Sequence, residues 1–316
     1  MNVIHLKYPH QLTQEAKKEA YSLAIGFFDG VHKGHQAVIE SAKQKAVELG
    51  VKSAVMTFDP HPSIVLGRRN EKVFYITPLT QKIDTLEKLN VDTLFVVNFT
   101  SDFAKLTPQQ FIQYFILDLN VQHVTAGFDF SFGAFGKGNM QMMAQLADGK
   151  FGVTVVEKQQ DIQEKISSTR IRKCLQDGDM EQVRALLGRA FEVPGIVVHG
   201  DKRGRTMGFP TANVQAMEGC YIPATGVYAV KISVQNEWYN GVCNVGYKPT
   251  FNNPDEKQLS IEVHILNFDK NIYGEEVVVG WYDRIRSERK FNGIEALIEQ
   301  IELDKQQAIH YFEQLS

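Results

Sequence analysis

The strongest constraint on the fold of this 316-residue chain is a change of pattern near residue 188. Before it, short continuous apolar segments alternate with helical patterns, which predicts a parallel sheet buried under helices, the α/β class. After it, strand patterns follow one another with turn residues but without helices between them, which predicts an antiparallel barrel. We therefore expect two domains, at 1–185 and 186–316.

Individual elements can be placed within this outline. Strands of the first part are predicted at 22–26, 53–58, 93–99, 123–128 and 153–156, and barrel strands at 226–234, 237–246, 257–266 and 275–283. One apolar stripe at helical spacing is formed by Val38, Ile39, Ala42, Ala46 and Leu49. Thr107 followed by Pro108 is typical of a helix N-terminus, and a charged helix is predicted at 179–188. A last helix is predicted from 292 to the C-terminus.

Composition excludes several classes of function. The net charge of −3 and the lack of a long basic segment predict neither a nucleic-acid nor an anionic-membrane partner. Three cysteines stand far apart without CxxC spacing, which argues against a zinc site or disulfides and indicates the cytoplasm. No signal-peptide pattern and no apolar run of ~18 residues is present, so we expect neither export nor membrane insertion. The oligomeric state is left open.

The segment GFFDGVHKGH, at 26–35, follows the first predicted strand and opens a helix. Gly26, Gly30 and Gly34 allow backbone amides to approach a ligand, and a helix N-terminus favours an anion. His32 and His35 are three residues apart and share one face of the first helical turn, where they can donate hydrogen bonds to phosphate oxygens. The segment therefore predicts a phosphate site.

Two other interpretations of the histidine pair remain open from these residues alone. The imidazoles can be capping or packed surface side chains. They can also be two ligands of a metal site, with Asp59 or His61 as the third, although HExxH spacing and a cysteine partner are both absent.

A second group of phosphate ligands is predicted in ISSTRIR, at 166–172. Hydroxyl side chains at the start of a helix combine with arginines, so N-cap chemistry and cationic donors for a polyphosphate come together. These residues are Ser167, Ser168, Thr169, Arg170 and Arg172. The alternative is a capping segment with solvated arginines.

Four motifs in order carry a family resemblance: GFFDGVHKGH, TFDPHP at 57–62, GFDFSFG at 127–133, and ISSTRIR. Together they resemble the FMN adenylyltransferase module of bacterial bifunctional riboflavin kinase/FAD synthetases, within the nucleotidylyltransferase superfamily. The resemblance covers nearly the first 185 residues and implies a Rossmann-like domain. It also implies that the FMN phosphate attacks the α-phosphorus of Mg-ATP without a covalent enzyme intermediate, while His32, His35 and Arg172 stabilise the developing charge.

The resemblance extends to further ligand-binding residues. ATP contacts are expected from Gly26, Phe27, Phe28, Asp29, Gly30, Ser167, Ser168, Thr169 and Arg170. Flavin contacts are expected from Asp59, Phe128, Asp129 and Phe130, because an isoalloxazine ring needs flat apolar walls with a few polar groups. Alternating aromatic residues at a strand end are more often core, so half of Phe128, Asp129, Phe130 and Phe132 are expected there instead.

A glycine-rich basic segment lies at 199–213, HGDKRGRTMGFPTAN. Gly200, Gly204 and Gly208 are spaced by four, with Lys202 and Arg205 among the basic residues between them. A Walker A loop is excluded because the spacing is one residue short and arginine replaces the lysine. A flexible basic loop over a nucleotide remains the prediction.

Oxygen-bearing side chains follow that loop. Thr211 and Asn213 offer hard oxygen ligands suited to Mg²⁺ held partly by ATP phosphates, and the alternative is a simple turn. Strand alternation at 260–265 places Glu262 on the face away from the apolar residues. This carboxylate is either a general base toward a substrate hydroxyl or a solvated strand residue.

The order of GRTMGFPTAN, GVCNVGYKPTF and IEVHILNF resembles the riboflavin kinase domain over about residues 190 to 310. That resemblance implies a small antiparallel barrel with a C-terminal helix. It further implies that Thr211 and Asn213 hold Mg-ATP and that Glu262 takes the proton from the riboflavin 5′-hydroxyl as it attacks the γ-phosphate. Asn244 and Arg286 are expected to contact the flavin.

The two resemblances together predict a bifunctional enzyme that uses ATP and Mg²⁺ to convert riboflavin to FMN and FMN to FAD. One alternative is a nucleotidylyltransferase for another acceptor with a regulatory flavin-binding barrel. Another is a barrel that binds single-stranded nucleic acid, joined to a nucleotide-sensing domain. Intact PTAN and Glu262 argue against the first, and the lack of a basic groove with exposed aromatic residues argues against the second.

Overall fold

The computed structural model describes residues 1–10, 19–67, 73–157, 165–200, 204, 207–249 and 257–315. The chain divides into two compact units, residues 1–167 and 168–316. The first unit contains a parallel sheet with its helices. The second begins with two helices and continues into a barrel and a C-terminal helix.

The strands of the first unit form a six-stranded sheet and a small hairpin. They are β1 (Asn2–Lys7), β2 (Tyr21–Ile25), β3 (Lys52–Asp59), β4 (Thr93–Asn98), β5 (Val121–Gly127), β6 (Ser131–Phe132), β7 (Gly138–Asn139) and β8 (Gly152–Val156). The sheet order is β1-β4-β3-β2-β5-β8, and every pair is parallel. The parallel α/β arrangement expected from the alternation of patterns is confirmed.

Helices cover both faces of this sheet. They include α1 (Lys33–Leu49), α2 (Pro62–Val65), α3 (Leu79–Lys88), α4 (Pro108–Ile112) and α5 (Met140–Ala147). On one face Ala24 and Val55 pack with the α1 stripe, and on the other Leu23 and Met56 pack with α4 and α5. Leu49, expected in the α1 stripe, is exposed because it lies in the last turn of that helix.

The strand order reverses at β2. From β2 the chain adds β3 and β4 on one side, and it then returns to place β5 on the other side. Ligands of open α/β sheets bind beyond the carboxyl ends of the strands at such a reversal. Residues 26–35 follow β2 and residues 128–137 follow β5, so both predicted binding segments lie at this point.

Two features of the first unit were not predicted. Strand β1 extends the sheet beside β4, although the sequence analysis considered the N-terminus only for export signals. The helix that begins with the Thr107–Gln110 capping box passes into a π-helical turn at Gln113–Leu117. Such a turn departs from the 3.6-residue period on which helix prediction depends.

The second unit begins with α6 (Ser168–Asp177) and α7 (Met180–Leu187). Its barrel strands are β9 (Phe191–Val198), β10 (Ala212–Ala216), β11 (Gly226–Val234), β12 (Glu237–Pro249), β13 (Lys257–Ile265) and β14 (Glu276–Arg286). They close in the antiparallel order β10-β13-β12-β11-β14-β9, which confirms the expected barrel. Strands β9 and β10 were not among the predicted strands.

Burial within the barrel follows the predicted alternation. Ile261, Val263 and Ile265 are buried, whereas Glu262 and His264 on the opposite face are partly exposed. The C-terminal helix α8 (Ile294–Gln314) packs Ala308 and Phe312 against β11 and β12. Among the described residues, no helix combines the length and the apolar character needed to cross a bilayer.

Candidate active sites

The turn between β2 and α1 has a constrained backbone. Phe28, Gly30 and Val31 have φ values of 53°, 90° and 42°, and side-chain-bearing residues rarely adopt the left-handed region. The buried Asp29 carboxylate accepts a hydrogen bond of 3.0 Å from the backbone N–H of Thr77. Such strain persists only where surrounding contacts over-determine the conformation, which is common at binding sites.

His32 caps the N-terminus of α1. Its Nδ1 accepts a hydrogen bond of 3.2 Å from the backbone N–H of His35, and the two imidazole rings stack with centroids 3.5 Å apart. Because Nδ1 accepts, the neutral ring carries its proton on Nε2. The capping interpretation and the phosphate interpretation are therefore compatible, since the cap uses Nδ1 alone.

The His35 ring lies edge-on to Phe28 at 5.3 Å between centroids. Burial lowers the pKa of His35 well below its usual value, and the charges of His32, Lys82 and Lys165 lower the pKa further. The imidazole is thus neutral at physiological pH. Its Nδ1 is buried without a hydrogen-bond partner among the described residues, an arrangement that calls for a ligand or water.

A cavity of about 990 Å³ opens beside the histidine pair. Gly26, Phe27 and Phe28 line it together with His32 and His35. Ser167, from the second predicted phosphate element, also lines this cavity. The structure therefore brings Ser167 and the histidine pair to one space within the first unit.

Aromatic residues after β5 form another wall of this cavity. Phe128 is 43% exposed, while Phe130 lies parallel to the buried Phe132 with centroids 6.1 Å apart. Lys165 forms an ion pair of 2.6 Å with Asp129, and its Nζ lies 4.7 Å from the Phe128 ring centroid. Phe132 is thus core, as expected for part of this group, and Phe128 and Asp129 are accessible.

Some predicted residues lie outside the cavity lining. Among the described residues, neither Asp29, Gly30 nor Asp59 lines it. Asp29 fixes the turn instead, and the backbone carbonyl of Asp59 accepts a hydrogen bond of 2.9 Å from Phe99 at the end of the sheet. No group of three histidine, cysteine or acidic residues suited to a metal occurs in the described part of the chain, so the two-histidine metal interpretation gains no support.

The remainder of ISSTRIR opens α6, as predicted. Ser168 is the first residue of this helix, and Thr169, Arg170 and Arg172 occupy its first turns in the second unit. Arg170 donates a hydrogen bond of 3.3 Å to Gln182 of α7.

Three predicted site residues meet on neighbouring barrel strands. Asn213 of β10 and Asn244 of β12 both pair in register with Glu262 of β13. Directly paired residues in antiparallel strands project from the same face with Cβ atoms roughly 5 Å apart. Asn213, Glu262 and Asn244, which we call the Asn–Glu–Asn row, therefore form one polar surface on the side of β13 opposite the core.

Gly200, which precedes β10, lies close to the Asn–Glu–Asn row. A Cβ atom on Gly200 would lie 2.3 Å from Cγ of Asn213, so only glycine permits the observed contact. The Gly204 carbonyl accepts hydrogen bonds from the backbones of Met207 and Phe209, which closes a turn. His264 Nδ1 donates to the Pro210 carbonyl at 2.8 Å, so Thr211 is tied to the strand of Glu262. Gly208 lies in this loop, whereas Lys202 and Arg205 lie outside the described residues.

Two other side chains, those of Cys243 and Arg286, are restricted by their surroundings in what they can do. Burial and the Glu262 charge raise the pKa of the Cys243 thiol well above its usual value, so this cysteine is not a nucleophile. Arg286, a predicted flavin contact, donates from Nε and Nη2 to Asp304 of α8 at 2.8–3.0 Å. Its guanidinium fastens the C-terminal helix to the barrel in this structure.

Sequence reasoning overlooked two lysines of the first site. Lys165 directly precedes ISSTRIR, and proximity to that motif was the available signal. Lys82 is 3% exposed and occupies a position in the Leu79–Ile83–Leu86 stripe of α3. A lysine in the apolar stripe of an amphipathic helix is the sequence signal that marks this position as unusual.

Comparison with known proteins matches both units. Residues 14–170 match the FAD synthetase family model, and residues 187–312 match the riboflavin kinase model. A bifunctional riboflavin kinase/FMN adenylyltransferase of Bacillus subtilis is 54% identical over 315 residues, covering 100% of this chain and 99% of that protein. The protein of the same description from Listeria monocytogenes is 49% identical with the same coverage. A crystal structure described as a macrolide-efflux protein from Streptococcus pneumoniae has 34% identity and a TM-score of 0.87, covering 97% and 98% of the two chains.

Proposed function

Because the chain belongs to the family of bifunctional riboflavin kinase/FMN adenylyltransferases, we propose that it makes FMN and FAD in succession. One reaction transfers the γ-phosphoryl group of ATP to riboflavin, giving FMN and ADP. The other transfers the adenylyl group of a second ATP to FMN, giving FAD and diphosphate. We assign adenylyl transfer to residues 1–185 and riboflavin phosphorylation to residues 186–316.

Adenylyl transfer is assigned to the cavity at the strand-order reversal. The observation that carries this assignment is the buried Nδ1 of His35, which lacks a hydrogen-bond partner among the described residues. His32, which caps α1, lies beside it. As an FMN phosphate oxygen attacks the α-phosphorus, negative charge grows on the α-phosphate oxygens. The neutral His35 imidazole, with His32 beside it, donates hydrogen bonds to those oxygens without acting as a base, since this reaction mainly requires positioning and charge stabilisation.

The remaining phosphate and flavin contacts follow from the same assignment. The diphosphate leaving group is to be held by the hydroxyls and arginines of 167–172, with Arg172 neutralising its charge. The isoalloxazine ring is to lie against Phe128 and Phe130, because both line the cavity and a flat apolar wall suits a flavin. Asp129 and Asp59 are retained as polar flavin contacts, the first supported by its place in the lining.

Phosphoryl transfer is assigned to the Asn–Glu–Asn row. Glu262 is to accept the proton of the riboflavin 5′-hydroxyl, while Asn244, which pairs with it in register, orients the flavin. Arg286 is proposed to contact the flavin from the end of β14. The loop bearing Gly200, Lys202, Gly204, Arg205 and Gly208 is to cover the ATP phosphates.

Thr211 and Asn213 are the proposed holders of Mg²⁺ in the second unit. A hydroxyl and an amide oxygen are hard ligands, so this donor set fits a cation shared with ATP phosphates. Gly200 leaves room for the Asn213 amide, because a Cβ there would lie 2.3 Å from Cγ of Asn213. When bound, Mg²⁺ neutralises charge on the transferring phosphates. Asn213 of β10 pairs in register with Glu262 of β13. The proposed nucleotide ligand and the proposed base for the acceptor hydroxyl therefore lie on one pair of strands.

The compartment proposed for this chemistry is the cytoplasm. Cys174, Cys220 and Cys243 are all free thiols, which suits a reducing environment.

Product analysis tests both assignments. Purified full-length protein is incubated with ATP and Mg²⁺ and either riboflavin or FMN, and FMN and FAD are quantified separately. We expect FMN and then FAD from riboflavin, and FAD alone from FMN. Formation of FMN without FAD would refute the adenylyl-transfer assignment, and failure to phosphorylate riboflavin would refute the kinase assignment.

Substitution of Gly200 tests the nucleotide cradle. The Cβ of Gly200→Ala must move the Asn213 amide from 2.3 Å to an ordinary contact of about 3.5 Å. We expect KM for Mg-ATP in riboflavin phosphorylation to rise, or kcat to fall, by roughly 10- to 10²-fold, because misplacing a ligand by about 1 Å has effects of this size. Steady-state kinetics with varied Mg-ATP measures the change.

Gly280→Ala is the matched control for this substitution. A Cβ on Gly280 meets its nearest neighbour at 3.5 Å, an ordinary contact within the same barrel. This variant should keep wild-type kinetics for both reactions. Wild-type kinase kinetics in Gly200→Ala would show that the Asn213 amide does not hold the nucleotide.

A further inference from the structure

Lys82 is a buried cation for which the reactions described above provide no role. It lies on α3 with 3% of its surface exposed. Burial lowers its pKa to about 8, although the charges of Asp29 and Asp59 act in the opposite direction. The ammonium therefore remains mostly protonated at neutral pH, in a position where a charged group opposes folding.

The ammonium group is aimed at the turn that carries the two histidines. Its Nζ donates hydrogen bonds of 2.8 Å to the Phe27 carbonyl and 3.0 Å to Oγ1 of Thr57. Thr57 Oγ1 in turn donates to the same Phe27 carbonyl at 2.9 Å. The Nζ also lies 4.7 Å from the Phe27 ring centroid, within the range of a cation–π contact.

These contacts fix the backbone immediately before its strained part. Phe27 precedes Phe28 and Gly30, whose φ values are positive, and His32 follows at the helix cap. From the other side, Asp29 is held by the backbone of Thr77. The turn is thus held at two points. Thr57 of β3 and Lys82 of α3 bond to the Phe27 carbonyl, and the backbone N–H of Thr77, which precedes α3, bonds to Asp29.

Fold stability does not explain the lysine. Without it, the Phe27 carbonyl still accepts from Thr57, and Thr57 Oγ1 still donates, so no polar group of this trio loses its only partner. Burial of the ammonium opposes its charged form, whereas the charges of Asp29 and Asp59 favour it, so these opposing effects on stability do not by themselves account for the lysine. The hydrogen bonds of Lys82 instead act on the backbone of the adjacent turn.

We propose that Lys82 is the positioning residue of adenylyl transfer, a buried cation that holds the Phe27 carbonyl and thereby aligns His32 and His35 on the α-phosphate. This inference rests on the proposed assignment of adenylyl transfer to this cavity. Lys82 acts through the backbone and through its charge, which also contributes to keeping His35 neutral.

The proposal predicts an alkaline limb in one reaction only. Deprotonation of Lys82 near pH 8 removes its charge, whereas His35 is already neutral. The other titratable groups that face this region are Asp29, Asp59, Tyr75, His32 and Lys165. Because its folded-state pKa is lowered from 10.5, the unfolded chain binds more protons between pH 8 and 10.5, and the Lys82 contribution to stability rises in that window. A loss of activity there cannot then come from unfolding caused by this group.

The experiment compares the wild type, Lys82→Met and Lys88→Met. Lys88 is an exposed lysine on the same helix, so its substitution removes the same charge outside the turn. For Lys82→Met we expect kcat of FAD formation from FMN to fall by roughly 10- to 10²-fold. Riboflavin phosphorylation by the same polypeptide should stay within about twofold, and Lys88→Met should match the wild type in both reactions.

The pH profiles supply a readout that a merely structural role would not change. Wild-type kcat for FAD formation should fall above about pH 8, riboflavin phosphorylation should show no such limb, and Lys82→Met should lack it. A wild-type profile without the alkaline limb overturns the proposal even where the variant fails to fold, as does a limb retained by Lys82→Met.

His35→Ala, assayed in parallel, separates the Lys82 positioning role from the assignment of adenylyl transfer to this cavity. Loss in His35→Ala alone overturns the Lys82 proposal, and loss in neither overturns the site assignment itself.

Discussion

Glu262→Gln is expected to lower kcat for riboflavin phosphorylation by roughly 10²-fold or more, since a positioned general base contributes about this factor. Glutamine keeps the size of the side chain and its position between Asn213 and Asn244, but its amide does not accept a proton at neutral pH. FMN adenylylation by the same protein should be nearly unchanged. Initial rates of FMN formation from riboflavin and of FAD formation from FMN measure the two effects.

Glu276→Gln provides the comparison for this loss. Glu276 is an exposed carboxylate at the start of β14, so its substitution removes one negative charge from the barrel outside the Asn–Glu–Asn row. Both activities should remain at wild-type level in this variant. Kinase turnover that survives Glu262→Gln would remove Glu262 from the mechanism and leave the row as a nucleotide-binding surface alone.

The fold could be predicted largely because its signals are local. Continuous apolar segments indicate β2, β3, β4, β5 and β8. Alternation along β13 indicates that Glu262 lies on the face opposite the buried residues. Strand β1 lacked such a signal because it lies at the edge of the sheet and is only partly buried. Strand β9 contains Pro194, and β10 begins within PTAN, where turn chemistry and strand pairing compete for the same residues.

The sites were only partly visible from the sequence, for a different reason. Motifs identify residue types and spacing, so His32, His35 and Glu262 could be proposed without a structure. Register and distant packing decide how these residues act. The pairing of Asn244 with Glu262 depends on how β12 aligns with β13, and the Lys82 contact to Phe27 joins residues 55 apart in sequence. The glycine spacing at 199–213 predicts a flexible loop, and the structure adds that Gly200 is required for close contact with Asn213.

His35→Ala is expected to cost adenylyl transfer about 2–4 kcal/mol of transition-state stabilisation, or roughly 30- to 10³-fold in kcat, by analogy with the loss of one oxyanion donor. The physical reason is that a neutral, partly buried imidazole forms a stronger hydrogen bond to a charge that grows in a low-dielectric cavity than to the same group in water. FAD formation from FMN, measured as kcat and KM separately, should show the loss mainly in kcat.

The interpretation of that loss depends on separating chemistry from packing, because the partly buried His35 ring also contacts Phe28. His123→Ala is the matched control. His123 is a half-buried imidazole near the start of β5, bonded to Thr154 Oγ1 at 2.8 Å, and it is not part of the described cavity lining. Both variants should lower the Tm, but only His35→Ala should lose FAD formation per folded molecule, with riboflavin phosphorylation retained in each. Equal loss of both reactions in His35→Ala would identify a folding defect, and the His35 ring would then act by packing against Phe28 and His32 instead of as a donor to the α-phosphate.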